Sequence, residues 1–259
     1  MRTLGCCLLF CLMLAVPISP LRAGQDAAPP PPCAAPEEFS TPDEPLVSVA
    51  AVIKHGKPIN ILAVGSATTV GEEGGHTPGA APGTSFPYRM ADALRTHLPD
   101  VQVHLAVRGG RGLTAEAMLP LIESALKEQH FDLVLWQVGT VEAVRGLRPD
   151  TMQETLQDGT QLVRDAGADV VLIDSQFSRF LRANADIDPY ETVLQQVATL
   201  PGVVLFRRFD LMRSWVGEGR MDLERTQKAD REKAIAQLNT CLGEALARFV
   251  LNGAGVGLK

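Results

Sequence analysis

Apolar residues along this chain fall into five short runs, at residues 59–65, 101–107, 131–138, 169–173 and 202–206. The runs are rich in Val, Ile and Leu and do not alternate with polar residues, as expected for strands covered on both faces. Helix-length segments separate them. Residues 86–97 carry apolar positions at helical spacing and stop before Pro99. Residues 114–129 open on Thr114, a good N-cap, and residues 149–166 stop at Gly167, a usual C-terminal signal. Residues 188–200 form a fourth crossover, 229–251 a long final helix, and 46–55 a short helix before the first strand. Strands alternating with helices predict an α/β fold. The expected architecture is a three-layer α/β/α, flavodoxin-like domain with a five-stranded parallel sheet.

The ends of the chain read differently. Residues 1–23 have a basic start at Arg2, an apolar run from Leu4 to Pro17, and small Ala23 before a cut, the pattern of a secretory signal. An uncleaved anchor is the alternative, although the run is shorter than the ~20 residues of a spanning helix. Residues 24–45 are rich in Ala and Pro and predict an extended linker. The expected domain covers 46–252, with a flexible tail at 253–259. No second hydrophobic segment is long enough to cross a membrane, so export to the periplasm or outside is expected. Cys6, Cys7 and Cys11 lie inside the signal, which leaves Cys33 and Cys241. In an exported protein such a pair is most simply a disulfide, with two free thiols as the alternative. A net charge of −6 argues against a nucleic-acid partner.

The first strand ends in Gly65-Ser66-Ala67-Thr68-Thr69-Val70-Gly71. This stretch resembles the first block of the SGNH (GDSL-type) hydrolases. Aligned on Gly65 and Gly71, the family's nucleophilic serine falls on Ala67. Two further blocks carry the resemblance. Val107-Arg108-Gly109-Gly110-Arg111-Gly112 follows the second strand, with Gly112 at the oxyanion-hole glycine. Trp136-Gln137-Val138-Gly139-Thr140-Val141-Glu142 spans the end of the third and the turn beyond it, with Val141 in place of the asparagine whose amide donates to the oxyanion. Losing one such donor typically costs ~100- to 1000-fold in turnover. Counting back from Cys241 puts the family's Asp-x-x-His on Asp230 and Lys233, and no histidine follows His130. The resemblance implies an ester hydrolase fold whose serine, asparagine and histidine are replaced, with Gly112 and Asp230 retained.

Each of these residues also has a plain structural reading. Strand-to-helix turns favour glycine at 109, 110 and 112. Glu142 reads as a turn or cap residue. Asp230 and Lys233 read as a helix-start carboxylate with a nearby surface cation. Ser66 is the alternative nucleophile, with His76 as the nearest histidine in sequence. His55, His97, His104 and His130 follow no metal-ligand spacing, and no metal or cofactor is expected. Asp174-Ser175-Gln176 ends the fourth strand and is placed at the pocket rim. Arg108, Arg111, Arg145, Arg179 and Arg207 lie at or near loops of the sheet's carboxyl edge. The expected binding positions are Ser66, Thr68, Arg108, Gly112 and Gly139. The expected function is an exported pseudoenzyme that binds or scaffolds, through an acylated saccharide or lipid ligand or an envelope protein partner. The alternative is a divergent esterase using Ser66, and a third class is a purely structural envelope protein.

Overall fold

The structure, a computed structural model, describes residues 33–71 and 83–257. The expected signal, the start of the expected linker and His76 lie outside the described residues.

Five strands, β1 (Ile59–Gly65), β2 (Val103–Gly109), β3 (Leu133–Gln137), β4 (Asp169–Ile173) and β5 (Val203–Phe206), form one sheet in the order β2-β1-β3-β4-β5. Every pairing is parallel. Ten α-helices accompany them among the described residues: α1 (Val47–Lys54), α2 (Ala67–Val70), α3 (Phe86–His97), α4 (Ala115–Glu128), α5 (Thr140–Arg145), α6 (Pro149–Asp165), α7 (Arg179–Asn184), α8 (Asp188–Val197), α9 (Arg208–Gly217) and α10 (Arg231–Gly253).

Successive strand residues point to opposite faces, and the core divides accordingly. Ile61 and Ala63 of β1, with Leu133, Leu135, Val171 and Phe206, pack under α3 and α10. Leu62 and Val64, with Val134, Trp136, Val170 and Leu172, pack under α4, α6 and α8. The result is the flavodoxin-like three-layer domain that the apolar runs predict. The strand order reverses between β1 and β3, and in such sheets the crevice at the carboxyl ends of the strands there is the usual ligand position.

Two expectations need correction. The second strand starts and ends two residues later than its apolar run, because Gly65 and Gly109 extend the ladder in register. Arg108 therefore lies on the strand rather than in the turn. Residues 33–45 are not a free linker. Glu37–Phe39 form a short 3-10 helix, and the Phe39 side chain is buried in the core under α10. The Ala34 carbonyl accepts from Trp215 Nε1 at 2.9 Å and from Arg220 Nη1 at 2.6 Å. Cys33 is bonded to Cys241 of α10, with the two Cα atoms 4.6 Å apart.

The opposite, amino-terminal edge of the sheet holds its own buried carboxylates. Asp169 Oδ2 accepts from the Ser48 and Val49 amides at the start of α1, at 2.9 and 3.0 Å. Asp132 Oδ2 accepts from the Asn60 amide at 2.7 Å. These groups tie elements together, far along the strands from the crevice.

Candidate functional site

The turn after β1 is fastened to both neighbouring strands. On the β2 side, Gly110 N–H donates to Gly65 O at 3.2 Å. Gly109 permits this approach: its φ is 135°, and a Cβ there would lie 1.9 Å from Gly65 O. On the β3 side the fastening is Gln137, buried at the end of the strand. Its Oε1 accepts from the Thr68 and Thr69 hydroxyls at 3.0 and 2.7 Å, and its Nε2 donates to Ser66 Oγ at 3.4 Å. The turn then closes as the single-turn α2.

Ala67 is the first residue of α2 and Ser66 its N-cap. Position 67 thus carries a methyl group and no hydroxyl. Ser66 Oγ is buried against Gln137, and an amide cannot take its proton. Among the described residues, no Ser or Thr hydroxyl hydrogen-bonds a His or Lys nitrogen. The one histidine hydrogen bond there joins His130 to Asp132 at 3.1 Å, at the amino edge of β3.

Glu142 of α5 is 2% exposed and accepts from two backbone amides, Ala115 at 2.5 Å and Gly139 at 3.0 Å. It holds the starts of α4 and α5 together, which is the cap role its position suggests. Val141, beside it, offers no donor. Asp230 and Lys233 lie at the start of α10, both exposed, and neither has a side-chain bond among the described residues.

The arginines separate sharply. Arg108 is held by Glu128 at 3.3 Å on the outer edge of β2. Arg179 is clasped by Asp222 and Glu224 at 2.9 and 3.3 Å. Arg207 donates to Glu38 O and covers the Phe39 ring at 4.9 Å. None of these three is free for a ligand. Their neighbour Arg208 reaches the turn after β1. It is 1% exposed, and its Nη1 donates to Thr68 Oγ1 at 3.2 Å. Nothing in the sequence separates Arg208 from Arg207, and only the fold buries it.

Arg208 shares this interior with Asp174 and Glu191. Asp174 accepts from the Phe209 amide at 2.8 Å, and Glu191 from the Ser175 amide at 3.4 Å. Ser175 Oγ is buried and has no partner in hydrogen-bond geometry. Burial, and then the charge of Glu191, hold Asp174 well above the ordinary carboxylate range. Burial raises Glu191 as well. Burial also brings Arg208 down to about 10, against the pull of both carboxylates. Two carboxyls thus face one guanidinium. The folded state holds their protons more tightly than the unfolded chain does. Their contribution to stability is full below the ordinary carboxylate range and is lost as the pH rises through the folded values. Melting temperature should therefore fall as the pH rises above the ordinary carboxylate range, and fall less in Asp174→Asn, whose amide oxygen still accepts from Phe209. Equal slopes for the two proteins would show that the Asp174 carboxyl does not contribute.

Relatives place this geometry. A family model, the non-GDSL lipase-like family, matches residues 32–256. The chain belongs to that family. An arylesterase of Vibrio mimicus is 32% identical over 124 residues, which are 45% of this chain and 60% of the relative. The match therefore spans under two thirds of the relative's length. Among solved structures, TesA aligns with a TM-score of 0.53 at 20% identity, over 72% of this chain and 97% of that one. A two-domain esterase active on acetylated mannans, co-crystallized with mannopentaose, aligns with a TM-score of 0.59 at 15% identity, over 81% of this chain and 56% of that one. The structural matches establish a shared SGNH-type fold.

Proposed function

We propose that this member of an esterase family binds an acylated saccharide or lipid at the β1/β3 crevice without hydrolysing it. One observation carries the reading: the nucleophile position is the Ala67 methyl, and the nearby Ser66 hydroxyl is engaged by an amide, Gln137, rather than by a base. The crevice keeps groups suited to binding. These are the Thr68 hydroxyl, the Gly112 turn and the buried Arg208. Export is part of the proposal and is supported by the leader-like residues 1–23 and by a disulfide, which persists in oxidising compartments. Among the described residues, no helix is long and apolar enough to cross a membrane.

A second reading is favoured by two of these similar proteins, which are esterases by name, one of them active on acetylated mannans. In that reading Ser66 is a displaced nucleophile in a divergent esterase acting on acylated envelope saccharides or lipids. The two readings part in one experiment. Purified protein should cleave short nitrophenyl esters no faster than its Ser66→Ala variant, and a fluorophosphonate probe should leave the intact mass unchanged. Turnover that disappears in Ser66→Ala, or a probe adduct on Ser66, would establish the esterase instead.

A further inference from the structure

Val141 brings no side-chain donor to the start of α5, and the same helix supplies a charged one further along. Val141 and Arg145 stand four residues apart on α5, so they share one face of it. Arg145 reaches across to the turn after β2. A Cβ placed on Gly112 would lie 3.1 Å from Arg145 Nη2, and the Gly112 φ of 77° also favours glycine. The guanidinium therefore lies against the glycine that the family uses to donate.

The backbone donors around this point are mostly engaged. Gly110 N–H donates to Gly65 O and Leu113 N–H to Gly110 O. The Ala115 and Gly139 amides are consumed by Glu142. Among the described residues, neither Gly112 N–H nor any Arg145 nitrogen has an acceptor. A second observation comes from below the β1 turn. Arg208 gives Nη1 to Thr68, but its buried Nε and Nη2 have no hydrogen-bond partner. The Arg208 guanidinium thus keeps two unpaired donors, with Asp174 and Glu191 as the carboxyls that face it.

Resting on the binding reading above, we infer that Gly112 N–H and the Arg145 guanidinium form a receptor for a free carboxylate, such as that of a sugar acid carried by the acylated ligand, for which a short acyl acid is the simplest probe. A neutral amide donor suits an oxyanion that exists only in a transition state. A guanidinium, with its planar fork, suits a permanent planar anion and binds it through two parallel hydrogen bonds. The replacement of the family's asparagine by Val141, with Arg145 one turn further on, converts a transient oxyanion site into a standing anion site. The recognised group is then a free carboxylate, such as that of a sugar acid within an acylated saccharide, and not the acyl ester itself.

The probes are sodium butyrate and its neutral counterpart methyl butyrate, titrated into 15N-labelled protein while the Gly112 amide resonance is followed. Butyrate should shift that resonance saturably and methyl butyrate should not. Arg145→Gln should weaken butyrate by at least about tenfold, the scale of a lost charged hydrogen bond. Arg148→Gln, a nearby exposed arginine paired with Asp150, should leave it unchanged. Equal binding of acid and ester, or butyrate affinity that survives Arg145→Gln, would overturn the receptor. A Gly112 resonance unmoved by butyrate in folded protein would overturn it too. Hydrolysis of methyl butyrate in the same tube would instead sink the non-hydrolytic reading, whatever Arg145→Gln does to the acid.

Discussion

Protein carrying Cys33→Ser should melt about 10 °C or more below the wild type under oxidising conditions. The bond it removes closes a loop with a sequence separation of 208 residues. In the chain-entropy model, opening a loop of that length costs about 3–5 kcal/mol. For a domain of this size each kcal/mol corresponds to about 2–4 °C. The loss should come from the cross-link alone. Cys241 is fully buried, where a free thiol behaves as a small hydrophobe, and the Ala34 carbonyl keeps its bonds from Trp215 and Arg220. Differential scanning calorimetry with and without reductant checks this. Reductant should lower the wild type to the level of the variant and leave the variant unmoved. A wild type indifferent to reductant, or two alkylatable thiols in the untreated protein, would refute it.

The second large effect is expected at Gly243, two residues along the same helix. Here α10 crosses α3 with no room for a side chain. A Cβ on Gly243 would lie 2.4 Å from Arg89 Cβ and 2.7 Å from both Arg89 C and Met90 N. Two of those three contacts are backbone, so no rotamer change relieves them. Gly243→Val must push the helices apart or unwind a turn, and overpacking of this kind costs about 3 kcal/mol or more. Gly217→Ala is the control, because a Cβ there meets nothing within 4 Å and alanine is the better helix former. Urea melts should separate them clearly, with the midpoint of Gly243→Val well below wild type and that of Gly217→Ala at or above it. A Gly243→Val protein with an unchanged midpoint would mean that the α3–α10 contact is looser than its geometry implies.

The strands were legible because parallel strands bury both faces, so they stand out as apolar runs such as Asp169–Ile173. Long amphipathic helices were legible for a related reason, and Phe86–His97 was bounded by its own spacing and Pro99. The short helices α2, α5 and α7 left no such trace. Four to six residues hold too little of a helical period, and what stabilises these turns comes from far along the chain. Glu224 caps the start of α7 through the Arg179 and Phe180 amides, more than forty residues ahead of itself. Residues 33–45 looked like a linker because Ala and Pro dominate them, while their packing depends on Cys241, Trp215 and Arg220. Within the site, the absence of a hydroxyl at Ala67 and of an amide at Val141 could be read from position alone. The roles of Gln137 and Arg208 could not. Gln137 is one polar residue closing an apolar strand, and Arg208 is one of two adjacent arginines. Burial decides which of them matters, and burial is a property of the fold. The spacing that led to Asp230 and Lys233 rested on a single cysteine, and both side chains stand exposed without partners.

The bond between Cys33 and Cys241 also fixes how the domain carries load. Tension applied at residue 33 and at the end of α10 would pass straight across the sulfur bridge and along the last turns of that helix. Every strand lies inside the bridged loop, so the sheet would bear none of that pull. With the bridge cut, the same pull would first peel away the segment around Phe39, then part α10 from α3, and only afterwards reach β1.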